Sequence, residues 1–322
     1  MMTQKYLHLP TTRRDTSIDT LGAVLLVGGI GTLILTISWA SVEYGWTSRP
    51  TLSLGFISTV LIIALFLWEP HAENPMLPLH LFKNSTVNTL IPLTTFVSAA
   101  MTLVSSFMPL FLQAVTGISP TNSGLLLVPM MLGLTFSSTL VGRKVTATGR
   151  YRVWPIIGTA LGIVGMTLVA FISKSGMGIG VGLIGMAFIG LCSGASFPTS
   201  TTAIQNSVDI RDLGIASSTA QLCRSLGSVI SVAVYGTILN AQLSGTVDPK
   251  LLRAPRKINV LPEPGRTDVI NAMSDAITTV FRLAIPLMVI AFLFSLRVKE
   301  LPLRTHAAYQ DNESASNDAD GN

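Results

Sequence analysis

From Asn84 to Gly142 the sequence contains no Asp, Glu, Lys, Arg or His. No other feature restricts the fold as much. A soluble domain needs a wet face on its helices and strands, and charged side chains supply much of it. The stretch is also too long for one membrane crossing, because about 20 residues of helix span about 30 Å of hydrocarbon. Its middle, Thr116–Gly124, gathers Gly117, Pro120, Asn122 and Ser123, residues that turn a chain and cap a helix. The stretch therefore predicts two membrane helices joined by a short reverse turn at the interface.

Composition extends this reading to the whole chain. Charged residues make up 11% of the 322 residues, against about 25% in soluble domains, and mean hydropathy is +0.58. Two soluble domains of this size could not be covered with so little charge. Uncharged runs recur at Leu21–Ala40, Thr51–Trp68, Val153–Ser173 and Ser175–Val208. In lipid the backbone must satisfy its own hydrogen bonds, so helices or a closed barrel are the only spanning structures. The runs are continuously apolar and do not alternate with period two, which selects helices. The expected fold class is an all-α polytopic membrane protein with about eight spans. These fall near residues 20–40, 52–69, 87–114, 123–143, 153–173, 178–205, 213–241 and 277–297.

The distribution of charge orients the bundle. With an even number of spans, one side carries Lys5, Arg13, Arg14, Lys83, Arg143, Lys144, Arg150, Arg152, Arg211, Arg297, Lys299 and Arg304. The short loops of the other side carry only Arg49 and Lys174, and the longer Ser244–Ala276 segment offsets its basic residues with Asp248, Glu263, Asp268 and Asp275. Basic residues concentrate on the cytoplasmic side, so a multi-pass protein of the cell membrane with both termini in the cytoplasm is expected. The formal net charge of +5 is thus a topology signal, and no nucleic-acid partner is expected. Met1–Thr20 is too polar for a cleavable signal peptide. The polar, acidic end "YQDNESASNDADGN" has little to bury and reads as disordered.

Enzyme chemistry finds no support. His8, His71, His80 and His306 lie outside the spans and are not at metal-ligand spacing with each other. Gly180, Gly182 and Gly185 match GxGxxG, but a dinucleotide site also needs a preceding strand and a later acidic residue. Close helix packing through small residues is the expected role, as for Gly158/Gly162 and Gly190/Gly194. Cys192 and Cys223 fall within spans, where a small apolar thiol suffices. No metal or cofactor is expected.

Ionisable groups within a bilayer are costly, and that makes them the place to seek function. No acidic residue sits clearly within a span. Arg282 lies near the outer end of the last, within snorkelling reach of the headgroups. Arg224 lies deep in the seventh, and two roles are open to it. One is an ion pair with the cluster Asp209, Arg211 and Asp212; the other is a contact with substrate.

Several segments, taken in order, resemble one family. "PLFLQAVTGISPTNSGLLLVP" (Pro109–Pro129) is similar to the paired spans after the central pair in the fourteen-span drug:proton antiporters of the major facilitator superfamily. Ile18–Gly22 with "SWASVEYGW" resembles the first central span and its exit. Glu69 through Asn84, with "PMLPL" and "LFKN", resembles the following linker. "GRKVTATGRYR" (Gly142–Arg152) is similar to the family's basic loop, and Asp212–Leu239 to its penultimate span.

The resemblance covers about Ile18–Leu296 and implies a specific organisation. Residues 1–19 would be a cytoplasmic segment and 20–83 the two central helices. Residues 84–298 would form a six-helix half with an outer loop at 243–276, and 299–322 a disordered tail. The family's pattern places six further spans before the central pair, so the chain resembles a carboxy-terminal half-transporter with a separate amino-terminal half as partner. The implied activity is multidrug efflux by proton antiport, with the bilayer, hydrophobic or cationic small molecules and protons as further partners. The chain by itself is expected to be inactive, and a non-transporting fragment or packing subunit is the competing reading. Cavity candidates on the spans the family places centrally are Thr94, Thr95, Ser98, Gln113, Thr199, Thr202, Gln205, Gln221 and Arg224. Gate-loop candidates are Gly142, Arg143, Gly149 and Arg150. Thr146 stands where the basic-loop pattern expects Asp, which removes a carboxylate able to pair with these arginines.

Overall fold

The first helices of the chain begin where a side chain can accept the amide hydrogens that a first turn leaves open. The computed structural model describes residues 19–42, 44–71, 79–172, 179–244, 247 and 265–300. Asp19 Oδ1 accepts from the Gly22 N–H (2.8 Å) at the start of α1, Thr20–Val42. Ser48 caps α2, Arg49–Trp68, with Pro50 in the first turn, and Asn84 caps α3, Ser85–Ala114, through Thr86 N–H (2.9 Å). The amino-terminal segment, most of the outer loop and the tail from residue 301 lie outside the described residues.

The uncharged stretch from Asn84 to Gly142 folds as the expected hairpin. After α3 the chain reverses through Gly117, whose φ of 70° is in the left-handed region that glycine enters at little cost. Ser119 Oγ then accepts from Asn122 N–H (3.3 Å) to start α4, Pro120–Leu125. A break at Leu126-Leu127 separates this short piece from α5, Val128–Thr148, and the two together form one crossing, Pro120–Thr148. The remaining helices are α6 (Val153–Ala170), α7 (Ile179–Ser207), α8 (Leu213–Leu243) and α9 (Gly265–Leu296).

Among the described residues eight helical segments are long and apolar enough to cross a membrane, and every regular element is helical. Large apolar side chains lie exposed on the outer faces, such as Val27 and Phe56 at 71% and 70%. That is a lipid-facing surface, and it would be unstable in water. The last helix starts well before its apolar run. Its opening turns carry Arg266, Asp268 and Asp275, so α9 extends beyond the hydrocarbon, and residues 265–276 of the expected outer loop are helical.

Glycine sets the core packing. α7 lies between α5 and α6 and also touches α3, while α3 packs on α8 and α9. A Cβ placed on Gly165 would stand 2.6 Å from the Gly185 carbonyl oxygen, and one on Gly185 would stand 2.7 Å from that of Gly165. On the other side of α7, a Cβ on Gly190 or Gly194 would collide with the carbonyls of Met130 and Leu134. These helices meet backbone to backbone, as small residues permit in a membrane. Gly180 of the GxGxxG match faces open space, so only part of that match packs.

The α1–α2 hairpin is held on by fewer groups. Ser58 Oγ donates to Gly29 O (3.0 Å) within it, and Trp68 Nε1 donates to the Asp19 carboxylate (3.2 Å) at its open end. α1 packs on α8, and Trp46 Nε1 beyond it donates to Thr237 Oγ1 of α8 (3.0 Å).

Candidate functional site

Serine and threonine dominate the polar content of the spans, and most bond back to their own helix. Thr94 Oγ1 donates to Leu90 O (3.0 Å), Thr95 Oγ1 to Ile91 O (2.8 Å), and Thr199 Oγ1 to Ala195 O. Such bonds satisfy a hydroxyl in hydrocarbon without a neighbour. Thr94 and Thr199 are also buried, so neither lines an opening. Thr95 is half-buried and packs its methyl against Gly227 of α8.

A different set of hydroxyls joins two helices. Ser98 of α3 and Ser228 of α8 meet at 2.6 Å, and Thr102 Oγ1 donates to Ser228 Oγ (3.0 Å). Ser231 Oγ lies 3.1 Å from Ala99 O across the same interface and 2.8 Å from Ser228 O on its own helix. Ser228 Oγ also lies 3.1 Å from Arg224 O, so the seam runs along α8 to the half-buried Arg224. Sequence reading finds Ser98 alone of this group. Thr102, Ser228 and Ser231 were legible only as a spacing of three and four residues that puts each set on one helix face.

Arg224 leaves α8 towards α7. Its guanidinium carbon stands 4.7 Å from the centroid of the Phe197 ring, and Nη2 donates to Gln221 Oε1. A guanidinium over an aromatic face gains electrostatically from the ring quadrupole. Asp212 is twelve residues back, about 18 Å along the helix axis, which is beyond the reach of the arginine side chain. Of the two roles open to Arg224, the local ion pair is therefore not the one its geometry serves. Arg224 Nε is buried and has no hydrogen-bond partner among the described residues. A donor left open away from water costs about 1–3 kcal/mol, and a carbonyl or other acceptor brought to it would recover that.

The other candidates are dispersed. Gln205 and Thr202 are exposed near the end of α7, and Gln205 Nε2 donates to Ser217 Oγ (3.0 Å). Gln113 Nε2 donates to Ser123 Oγ (2.9 Å), tying α3 to α4. It lies about 22 Å along α3 from Ser98 and does not join Arg224. Arg282 sits over the Phe171 ring at 5.5 Å, near the end of α6.

The gate-loop residues occupy a helix end more than a loop. α5 continues through Thr148, and Gly149 terminates it with a left-handed φ of 71° and an N–H bond to Val145 O (2.8 Å). Gly142 lies inside the helix with open space beside it, and Arg143 and Arg150 are exposed. Thr146 Oγ1 donates to Gly142 O (2.9 Å), so the hydroxyl in the Asp position is bonded back to its own helix. Next to them Tyr151, missed from sequence, is fully buried. Its N–H donates to Glu300 Oε1 (3.0 Å) and its hydroxyl to Lys299 O (3.1 Å).

Eight apolar helices among the described residues, packed through glycine and joined by an inter-helix hydroxyl seam beside a half-buried arginine, define a polytopic membrane protein. The chain belongs to the Major Facilitator Superfamily, whose family model matches residues 10–232 and 90–313. An uncharacterised MFS-type transporter of Mycobacterium tuberculosis is 29% identical over 296 residues, covering 89% of this chain and 43% of that protein. Multidrug resistance protein 3 of Bacillus subtilis is 28% identical over 314 residues, covering 91% of this chain and 61% of that protein. Multidrug transporter protein MdtP of Bacillus subtilis is 29% identical over 238 residues, covering 73% and 43%. The chain thus spans about half the length of the curated relatives it matches. Among solved structures, a bacterial homologue of the human lysosomal transporter Spinster, in an inward-facing and occupied conformation, shares the fold. It superposes with a TM-score of 0.55 at 17% identity over 88% of this chain and 67% of that one.

Proposed function

We propose that these eight helices form one moving half, with two accessory helices, of a proton-driven exporter of hydrophobic or cationic small molecules in the cell membrane. The half comprises α3 through α9, and both ends of the chain face the cytoplasm. The observation that carries the reading is Arg224, held over Phe197 and beside Gln221 at the end of the Ser98–Ser228 seam. Relatives named for multidrug transport and resistance support the substrate class.

Alternating access in such transporters comes from two halves rocking about a site near the bilayer midplane. In this reading α3, α7 and α8 supply one wall of that site. Thr95, Gln221 and Arg224 line it, with Ser98 buried behind them in the seam, and Arg143 and Arg150 gate its cytoplasmic edge. Proton coupling needs a carboxylate that titrates away from bulk water. The acids of the eight crossings stand at their ends, Glu69 after α2 and Asp268 and Asp275 in the opening turns of α9, so in this reading the coupling acid belongs to the opposing wall. A cationic substrate also needs that acid, because Arg224 repels it.

The test is ethidium efflux in cells lacking their own exporters. The 322 residues are expressed alone and together with a six-span amino-terminal half from a relative. Export only with the second half, abolished by an uncoupler, is the expected result. Uncoupler-sensitive export by the 322 residues alone would overturn the half-transporter reading. No export in either arm, with both proteins in the membrane and co-purifying, favours a non-transporting role.

A further inference from the structure

Where α3 begins and α9 ends lies an open groove of about 760 Å³. Its rim carries Lys83 from the turn before α3, and Arg297 and Lys299 from the chain leaving α9; all three are exposed. Among the described residues no carboxylate pairs with any of them. The acid nearest in sequence, Glu300, holds the Tyr151 N–H. Three cations gathered in one groove without a counter-charge repel one another, and an anion between them would relieve that repulsion. The positive end of the α3 dipole adds to the same field.

The wall below the rim differs in character. Asn88 offers an amide, and beyond it the lining becomes apolar with Pro92 and Phe294. Phe294 is stacked on Phe96 of α3, with ring centroids 6.3 Å apart. Pro92 is about 10 Å along the helix from Ser85, which carries the groove from the headgroup level into the depth of acyl chains. A small inorganic anion would use the rim and leave this wall bare. A phosphate carried on a lipid would use both.

We propose that this groove binds the phosphate of an anionic phospholipid, with Lys83, Arg297 and Lys299 around the headgroup and an acyl chain along Pro92 and Phe294. Basic pockets between helices at a membrane surface recognise such headgroups. The site is separate from Arg224 and does not depend on the transport reading. Its occupant would bridge the first and last helices of the six-helix unit.

The full chain is purified in detergent and supplied with a mixture of phosphatidylglycerol and phosphatidylcholine. Retained lipid is then counted by native mass spectrometry. We expect selective retention of phosphatidylglycerol and at least a tenfold loss in the triple variant Lys83→Ala, Arg297→Ala, Lys299→Ala. The pair Lys83→Arg and Lys299→Arg should retain the lipid, which guards against loss through misfolding. A variant with the same charge removed at Arg143, Lys144 and Arg152 should also retain it; equal loss there would reduce the effect to general surface charge and overturn the site. Displacement by millimolar inorganic phosphate would assign the groove to free phosphate and overturn the lipid. Unchanged retention in the triple variant would overturn the proposal entirely.

Discussion

Tyr151 and Glu300 meet across 149 positions of sequence, the backbone N–H of one donating to a carboxylate oxygen of the other at 3.0 Å. This bond and that from the Tyr151 hydroxyl to Lys299 O fasten the α5–α6 turn to the end of α9. Replacing the fully buried ring by Ala should remove about 3–5 kcal/mol through the cavity it leaves. Tyr151→Phe should lose only about 0.5–1.5 kcal/mol for one hydrogen bond. Glu300→Gln keeps an acceptor and should lie close to wild type, with Glu300→Ala below it. Thermal unfolding in detergent, read by tryptophan fluorescence, would give this order; Tyr151→Phe as damaging as Ala would contradict it.

The same contact carries a topological prediction. Residues joined by a hydrogen bond lie on one side of the membrane, and the Asn84 side chain, donating to Ser207 O at 2.6 Å, adds two more chain ends to that side. Reporters inserted near Tyr151 and fused after Arg304 should therefore agree, and one near Pro120 should differ. The positive-inside rule predicts that the shared side is the cytoplasmic one. Pro120 reporting the same side as Tyr151 would break the α3–α5 hairpin.

Glycines that look alike in sequence should behave differently on substitution. A methyl group at Gly190 or Gly194 has no room against the α5 carbonyls, and overpacking of this kind costs about 1–3 kcal/mol each. At Gly180 nothing stands within 4 Å, so Gly180→Ala should leave folded yield and melting temperature unchanged. Equal tolerance at all three positions would mean that α5 and α7 are not in backbone contact.

Arg224 and Phe197 should be energetically coupled. The stacked pair predicts an interaction of about 0.5–2 kcal/mol in a double-mutant cycle with Arg224→Ala and Phe197→Leu. Arg224→Lys retains charge but loses the planar fork that reaches Gln221 while covering the ring. It should therefore recover less than half of the substrate binding lost in Arg224→Ala, measured in a chain assembled with its opposing half. Lys at wild-type affinity would leave Arg224 as a simple point charge.

Lack of charge made the helices readable, because hydrocarbon imposes a rule on every residue of a span at once. Their pairing was less so. Gly190 and Gly194 announced close contact but not that Met130 and Leu134 would receive it. Arg224 stood out as the single charge deep in its span, yet Phe197 carries no mark that separates it from other aromatic residues in lipid. Ser228 was hidden for a similar reason: one serine among many, distinguished only by what α3 places opposite it. The break at Leu126-Leu127 and the early start of α9 escaped because apolar composition reports on membrane depth and says little about where a helix begins.

The clamp between α5 and α7 acts on the part of α5 nearest its start, at Met130, Leu134 and Ser138. Beyond it the helix continues to Thr148, about 21 Å past Leu134, with Arg143 and Lys144 exposed on it. The far end is held as well: Val141 and Val145 are buried, and Tyr151, just past Gly149, is bonded to Glu300 and Lys299. A helix gripped at both ends acts as a strut, so a shift of α7 at the glycines would be passed through α5 to the end of α9, carrying Arg143 and Arg150 with it.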